Sequence, residues 1–167
     1  MSLLRRHQPN YTLRDIMIDI YEGDHIESDL KSIKSNPLYE VGDEDLILAM
    51  LEEIAGSEDA CWTLTEWSAE SSNPYFNAKA IVWMQRAGKN VYRLRPLTRR
   101  LKKYRILYAY NGRVDEIYLL AVVVKKPESA PSNLSDEGCK YYDYETEHVI
   151  TKRVFYEYAQ LGLPSSH

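Results

Sequence analysis

The chain has 167 residues, a 44% hydrophobic fraction, a formal net charge of −4 and a sequence pI near 5.6. That length and composition suit one folded domain and exclude a wholly disordered chain. No run approaches the roughly 20 apolar residues of a membrane-spanning helix, and the arginines near the N-terminus have no apolar segment behind them to make a signal peptide, so a cytoplasmic protein with no membrane association is expected.

The total charge conceals a division. Residues 15–60 hold fourteen acidic residues and two basic ones, whereas residues 86–126 hold twelve Lys or Arg and two acidic residues. Binding follows the local field as well as the total charge, so the second stretch is a candidate surface for a phosphate-bearing partner. The competing use of these charges is internal, with the acidic half packed beside the basic half.

In chain order, residues 1–14 read as an N-terminal arm. Residues 15–21, DIMIDIY, alternate with Ile16, Ile18 and Ile20 on one side, which predicts a first strand. Asp24 is placed to cap a short helix from His25 to Lys34, with Ile26, Leu30 and Ile33 as its apolar stripe, and Asn36-Pro37 ends it. Gly42-Asp43 opens a second helix over 43–55, with Leu46, Leu48, Met50, Leu51 and Ile54 as its apolar side and Gly56 as its stop. Trp62 and Trp67 flank a run, TLTE, that fits a strand or an ordered loop. Residues 79–85, KAIVWMQ, read as a strand, with a helix over 78–86 as the competing assignment.

The pattern is clearest from Asn90 to Lys126. Strands are predicted at 91–95, 104–110 and 116–124, the last two joined through Asn111-Gly112, a pair suited to the positive φ angles of a tight hairpin. Arg113 to Asp115 lengthen that connection. Alternation places Arg105 with Leu107 and Ala109 on one face, and Tyr104, Ile106 and Tyr108 on the other, as in a half-covered antiparallel sheet. Pro127 to Gly138 reads as a loop. A terminal helix is predicted over 145–161, with Val149, Ile150, Val154 and Leu161 supplying its apolar side, Tyr158 at the border, and Gly162 and Pro164 closing it.

The chain lacks a GxxxxGK loop, an HExxH helix, paired CxxC motifs and a GxSxG turn, and its four histidines have no metal-ligand spacing. No cofactor or metal is expected. Cys61 and Cys139 are compatible with one disulfide, but free thiols are the plainer reading in a reducing cytoplasm. What remains is arginine and lysine on strands, followed by tyrosines. Guanidinium groups hold phosphate oxygens in two-pronged fashion and stabilise charge developing at phosphorus. Such a patch could cleave RNA without a metal if a tyrosine or lysine moved the protons. The structural alternative is that the arginines solvate a sheet face and that Tyr104, Tyr108 and Tyr118 are packing residues.

Two stretches, VYRLRPL at 91–97 and KYRILYAYNGRVDEIYLLAVVVKK at 103–126, resemble the RelE/ParE superfamily of toxins from bacterial toxin–antitoxin modules. The match covers the Tyr-x-Leu-Arg strand, the Tyr-Arg-hydrophobic-hydrophobic-Tyr strand, the short turn and the apolar strand with a basic end. The resemblance implies a small α+β domain, with two N-terminal helices packed on a twisted antiparallel sheet and a C-terminal helix, spanning residues 15–167 with insertions near 56–90 and 127–140. It implies a messenger-RNA endoribonuclease that acts in the ribosome without a metal, with Arg105 on the scissile phosphate and Arg93, Arg95 and Lys126 as supporting basic residues. The resemblance implies that the tyrosine or histidine that follows in the family falls here among Tyr141, Tyr142 and Tyr144, with His148 the remaining candidate; Tyr142 and Tyr144 are the catalytic assignments. The implied partners are a cognate antitoxin protein and the messenger RNA and ribosome. DNA gyrase is the target in the alternative branch, and a non-catalytic interaction module is the third reading.

Overall fold

The computed structural model describes residues 18–69, 73–130 and 141–166. Among them the elements run β1 (Asp19–Glu22), α1 (Ile26–Ile33), α2 (Asp43–Ala55), α3 (Glu58–Thr63), β2 (Ser68–Ala69), β3 (Phe76–Ala80), α4 (Val82–Arg86), β4 (Val91–Pro96), β5 (Tyr104–Asn111), β6 (Glu116–Val124) and α5 (Val149–Gln160). The strands form one sheet in the order β1-β6-β5-β4-β3-β2. Neighbours pair antiparallel except β1 and β6, which run parallel. The fold is therefore α+β around a mixed, mainly antiparallel sheet.

Alternation along β5 and β6 sorts the core into two layers. Tyr104, Ile106, Tyr108, Val122 and Val124 face α1, α2 and α3, meeting Ile26, Leu30, Ile33, Ile47, Leu51, Ile54 and Leu64. Leu107, Ala109, Ala121 and Val123 face the other way, against Met84 of α4, Val154 and Tyr158 of α5, and Tyr142. Both faces are covered, contrary to the half-covered sheet expected from alternation. The reason lies in the second face itself: away from Arg93, Arg95 and Arg105 at one end, its residues are apolar and need a second layer.

Several local expectations change. Residues 58–63 form helix α3, because the Ser57 side chain accepts the Ala60 N–H at 3.2 Å as an N-cap and two acidic residues occupy the first turn. The 79–85 run divides: the strand stops at Ala80, and α4 follows as one short helical turn. His25, without a side-chain cap bond, takes the N-cap of α1 in place of Asp24. On α2 the buried stripe is Ile47, Leu51 and Ile54, while Leu46 and Leu48 are exposed. On α5 it is Thr151, Val154 and Tyr158, with Val149 and Leu161 exposed. That helix starts at Val149, capped by His148. The hairpin loop does extend through Arg113 to Asp115, and Asp115 takes the positive φ of 53°. Cys61 is a buried free thiol that donates to the Ile54 carbonyl. Residues 1–14, the start of the predicted first strand and Cys139 lie outside the described residues.

β1 covers β6 only from Glu116 to Leu119. Further along that edge, side chains and a passing segment take over the pairing. The Gly23 N–H donates to the Leu119 carbonyl at 2.8 Å, and Asp29 Oδ2 accepts the Val122 N–H at 2.9 Å. Arg153 of α5 grips the same carboxylate through both terminal nitrogens, each at 2.7 Å. Tyr142 then closes the edge, donating its N–H to Val124 and accepting from Lys126. At Gly23 a Cβ would lie 2.3 Å from the Leu119 carbonyl oxygen and 2.5 Å from Glu157 Oε1, so only glycine fits.

Arg153→Met leaves the Asp29 carboxylate buried without its cation, which typically costs about 3–5 kcal/mol. Urea denaturation should show that loss, and Asp29→Asn added to it should recover part of the difference. Glu157 offers a second check. It is buried, with Oε1 accepting the Asp24 N–H at 2.9 Å and Oε2 without a partner. Burial raises its pKa above the ordinary value, only partly offset by that N–H. A raised folded pKa gives stability that is present below the unfolded value and lost as pH rises through the folded one. The stability of Glu157→Gln relative to wild type should therefore increase from about pH 4 to pH 7.

Candidate functional site

The charge division noted in the sequence is partly internal. Asp43, fully buried at the start of α2, accepts the Tyr104 hydroxyl at 2.5 Å and Arg100 Nε at 2.6 Å, with Lys103 Nζ at 3.3 Å. Glu40 adds to the same group. Lys34 pairs with Glu44, and Arg153 with Asp29. The acidic N-terminal half thus neutralises Arg100, Lys103 and Arg153.

Arg93, Arg95 and Arg105 stand apart from this. The ladder pairs Lys79 with Arg93 and Asn77 with Arg95, and Arg93 with Leu107 on the next strand. Continuing that register sets Arg95 across from Arg105, so the three arginines share one face of adjacent strands. None of them pairs with a carboxylate among the described residues. Arg93 Nη1 donates to Asn77 Oδ1 at 2.9 Å, while Arg95 Nε is buried without a partner. Arg105 is only 8% exposed, and its Nη1 donates to the carbonyls of Lys102 and Tyr104, each at 2.7 Å. Burial lowers its pKa below the usual arginine value; Tyr144 opposes the shift, and Arg95 and Arg93 add to it by repulsion. Three like charges held together without a counter-ion are a site prepared for an anion.

Tyr144 completes the group. Its hydroxyl is buried, faces the Arg105 guanidinium without a well-formed hydrogen bond, and has no other partner. Its backbone is left-handed, with φ of 62°, a conformation that costs a non-glycine residue about 1–2 kcal/mol. Burial raises the phenol's pKa, against the lowering pull of Arg105 and Arg93, so at neutral pH it is a neutral donor. Lys125 Nζ lies 5.9 Å from the Tyr144 ring centre and pairs with Asp143.

Of the residues singled out in the sequence, the structure brings Arg93, Arg95, Arg105 and Tyr144 together. Tyr142 is 1% exposed and packs in the core, its hydroxyl sharing a 2.7 Å hydrogen bond with Thr151. By alternation Lys126 follows Val122 and Val124 toward the opposite face, and Lys125 is the lysine beside Tyr144. The Tyr141 carbonyl meets His148 Nε2 at 3.1 Å, and His148 Nδ1 accepts the Ile150 N–H at 3.1 Å. With both ring nitrogens engaged, His148 is a helix cap rather than a proton carrier. Asn77, which orients Arg93, is the site residue that the sequence does not signal: a lone amide two residues before Lys79, in a stretch without a motif.

A separate cavity of about 320 Å³ lies beside the uncovered part of the β6 edge, lined by Asp29, Ser32, Asn36, Val122, Tyr142 and His148 among others. None of the three arginines reaches it, and its charged residue already serves Arg153. Among the described residues no cluster of His, Cys, Asp or Glu could hold a metal, and no helix is long and apolar enough to cross a membrane.

Comparison with protein-family models, curated proteins and solved structures gives no match.

An uncompensated arginine cluster makes a specific demand on stability. Pyrophosphate should raise the thermal midpoint of the protein, by mass action on the folded state. Arg95→Gln removes one of three mutually repelling charges, so it should leave the anion-free midpoint at or above the wild-type value at low salt and abolish most of the pyrophosphate response. Differential scanning fluorimetry across an ionic-strength series reads both effects.

Proposed function

We propose that this chain is a RelE-like toxin of a toxin–antitoxin module, an endoribonuclease that cleaves messenger RNA on the ribosome without a metal ion. The observation that carries the reading is the group formed by Arg93, Arg95, Arg105 and the neutral, unpartnered Tyr144 on one sheet face. The element order is compatible with it: a first strand and two helices, then α3, β2, β3 and α4 in the region read as an insertion, then β4, β5 and β6 as a meander with β1 beside β6.

In this reading the RNA 2′-oxygen attacks phosphorus and the 5′-oxygen leaves. Arg93 and Arg95, the more accessible guanidiniums, hold the non-bridging oxygens as negative charge grows on them. Arg105 lies beneath, fixed by two backbone carbonyls, and adds a rigid positive charge that needs little reorganisation. Tyr144 protonates the leaving oxygen once its hydroxyl, buried against Arg105 in the free protein, turns toward the bound RNA. Neither ionisable neighbour on the Tyr144 segment is placed as the base for the 2′-hydroxyl: His148 caps α5, and Asp143 pairs with Lys125. In this reading the ribosome supplies that proton acceptor and the in-line geometry, so translated RNA is the expected substrate in preference to naked RNA. The cognate antitoxin is a small protein that covers the face with an amphipathic helix or an extended segment.

The test is cleavage of messenger RNA by translating ribosomes, beside naked RNA and a DNA gyrase supercoiling assay. Wild-type protein should cut the translated message. Arg95→Ala should lose about 100- to 1000-fold in rate, and Tyr144→Phe about 100-fold or more. Arg105→Lys should also lose activity, because a point charge does not replace the planar fork. Full-rate cleavage by these variants would remove the catalytic assignment. Gyrase inhibition without RNA cleavage would move the protein to the other toxin branch. Neither activity, in a folded protein that co-purifies with the neighbouring gene's product, would leave an interaction module.

A further inference from the structure

The extra strand β3 continues the arginine face beyond the part of the chain that carries the family resemblance. Its ladder with β4 runs in hydrogen-bonded pairs whose side chains share one face. Ile81 bonds to Val91, both in the core under α4 and α5. Lys79 then pairs with Arg93 and Asn77 with Arg95. One step further the Leu97 N–H donates to the Tyr75 carbonyl at 2.9 Å. The face therefore grades along its length from apolar core, through the basic pairs, to an aromatic and an aliphatic side chain at its outer end.

Tyr75 is 68% exposed and Leu97 38%, whereas the next pair on the opposite face, Phe76 and Pro96, is buried. The exposed tyrosine is not loosely held. Its N–H donates to Asn73 Oδ1 at 2.8 Å and its carbonyl accepts from Leu97, so its backbone is fixed on both sides. Tyr75 sits in the bend just before β3, two residues from Asn77, so its backbone lies about 7 Å beyond the Asn77–Arg95 pair and its exposed ring is carried at that end of the face. A flat ring beside guanidiniums is the arrangement that binds single-stranded nucleic acid, with phosphates on the cations and a base on the ring. The uncompensated positive charge selects a polyanion over an apolar partner.

We infer that Tyr75 stacks an unpaired RNA base next to the phosphate held by Arg93 and Arg95, so that β3 lengthens the RNA track by one nucleotide. The inference rests on the arginine face being an RNA site, and names a specificity residue for it. Stacking needs a base free of its helix, so the track takes single-stranded RNA and rejects a duplex.

Fluorescence anisotropy with a short labelled single-stranded RNA tests this, with a duplex of the same sequence alongside. Tyr75→Ala should weaken single-strand binding about 5- to 150-fold. Tyr75→Phe should bind like wild type and Tyr75→Trp at least as tightly. The dependence of affinity on salt should stay the same in Tyr75→Ala, because no phosphate contact is lost, and become shallower in Arg95→Gln. A strand carrying 2-aminopurine should show quenching with wild type that disappears in Tyr75→Ala. Wild-type affinity in Tyr75→Ala, while Arg95→Gln weakens binding, overturns the role of Tyr75 and leaves the arginine site standing. Equal binding of duplex and single strand also overturns it. No RNA binding by the wild-type chain overturns both.

Discussion

The two faces of the sheet are tied together by one carboxylate. Asp29 projects from α1, accepts the backbone N–H of Val122, and receives both terminal nitrogens of Arg153 from α5. A short β1 leaves much of the β6 edge without a neighbouring strand, and an open edge of that kind invites pairing with another chain. The ion pair answers this with fixed geometry: it occupies an edge donor, and it binds a helix on each side of the sheet to the same strand. The ion pair joins the apolar packing and the Tyr142 backbone bonds in holding the layer formed by α5 and the Tyr142–Tyr144 segment. Tyr144, at the candidate site, depends on that layer for its place.

Charge is used in two separate ways in this molecule. The acidic helices hold Arg100, Lys103 and Arg153 in structural pairs, which removes them from any ligand. The arginines at the centre of the sheet receive no such partner among the described residues, and Arg105 sits buried against two carbonyl oxygens and the neutral Tyr144 hydroxyl. Burying an arginine this way costs desolvation, and clustering it with two more raises that cost. A merely solvated sheet face has no need of such an arrangement. An anionic ligand gives it a purpose, because the binding of phosphate relieves the repulsion that the folded chain carries.

The strands from Val91 to Val124 were legible because alternation there is nearly complete and Asn111-Gly112 marks the turn. The half-covered sheet was a wrong inference from the same alternation: Leu107 and Ala109 look like one half of an exposed face until β4 and β6 add Val91, Ala121 and Val123 beside them. Helix α3 was missed since its signal is Ser57 and two acids rather than a periodic stripe, and Trp62 and Trp67 drew the reading toward a strand. The inward stripe of α2 was misjudged because Leu46 and Leu48 are as apolar as Ile47, and only the tertiary arrangement decides which of them turns inward. At the site, Arg93, Arg95 and Arg105 follow from strand parity alone. Parity also separates Lys125 from Lys126, yet nothing local distinguishes Tyr142, which fills the core, from Tyr144, which faces the arginines. That difference depends on the left-handed backbone at Tyr144 and on Thr151 claiming the Tyr142 hydroxyl.

The parallel pairing of β1 with β6 joins segments almost a hundred residues apart, Asp19 with Glu116 and Glu22 with Leu119. Such pairs close late, because a long loop must first be ordered. On the ribosome the β4–β5–β6 meander can zip from its local hairpin as soon as it emerges. Loop closure then favours docking of β1 after the meander, and the Arg153–Asp29 pair needs α5 as well. Until the Tyr142 segment is made, the Val124 end of the β6 edge lacks its backbone partner. A binding partner that recognised this edge would meet the protein during its synthesis and not only after its release.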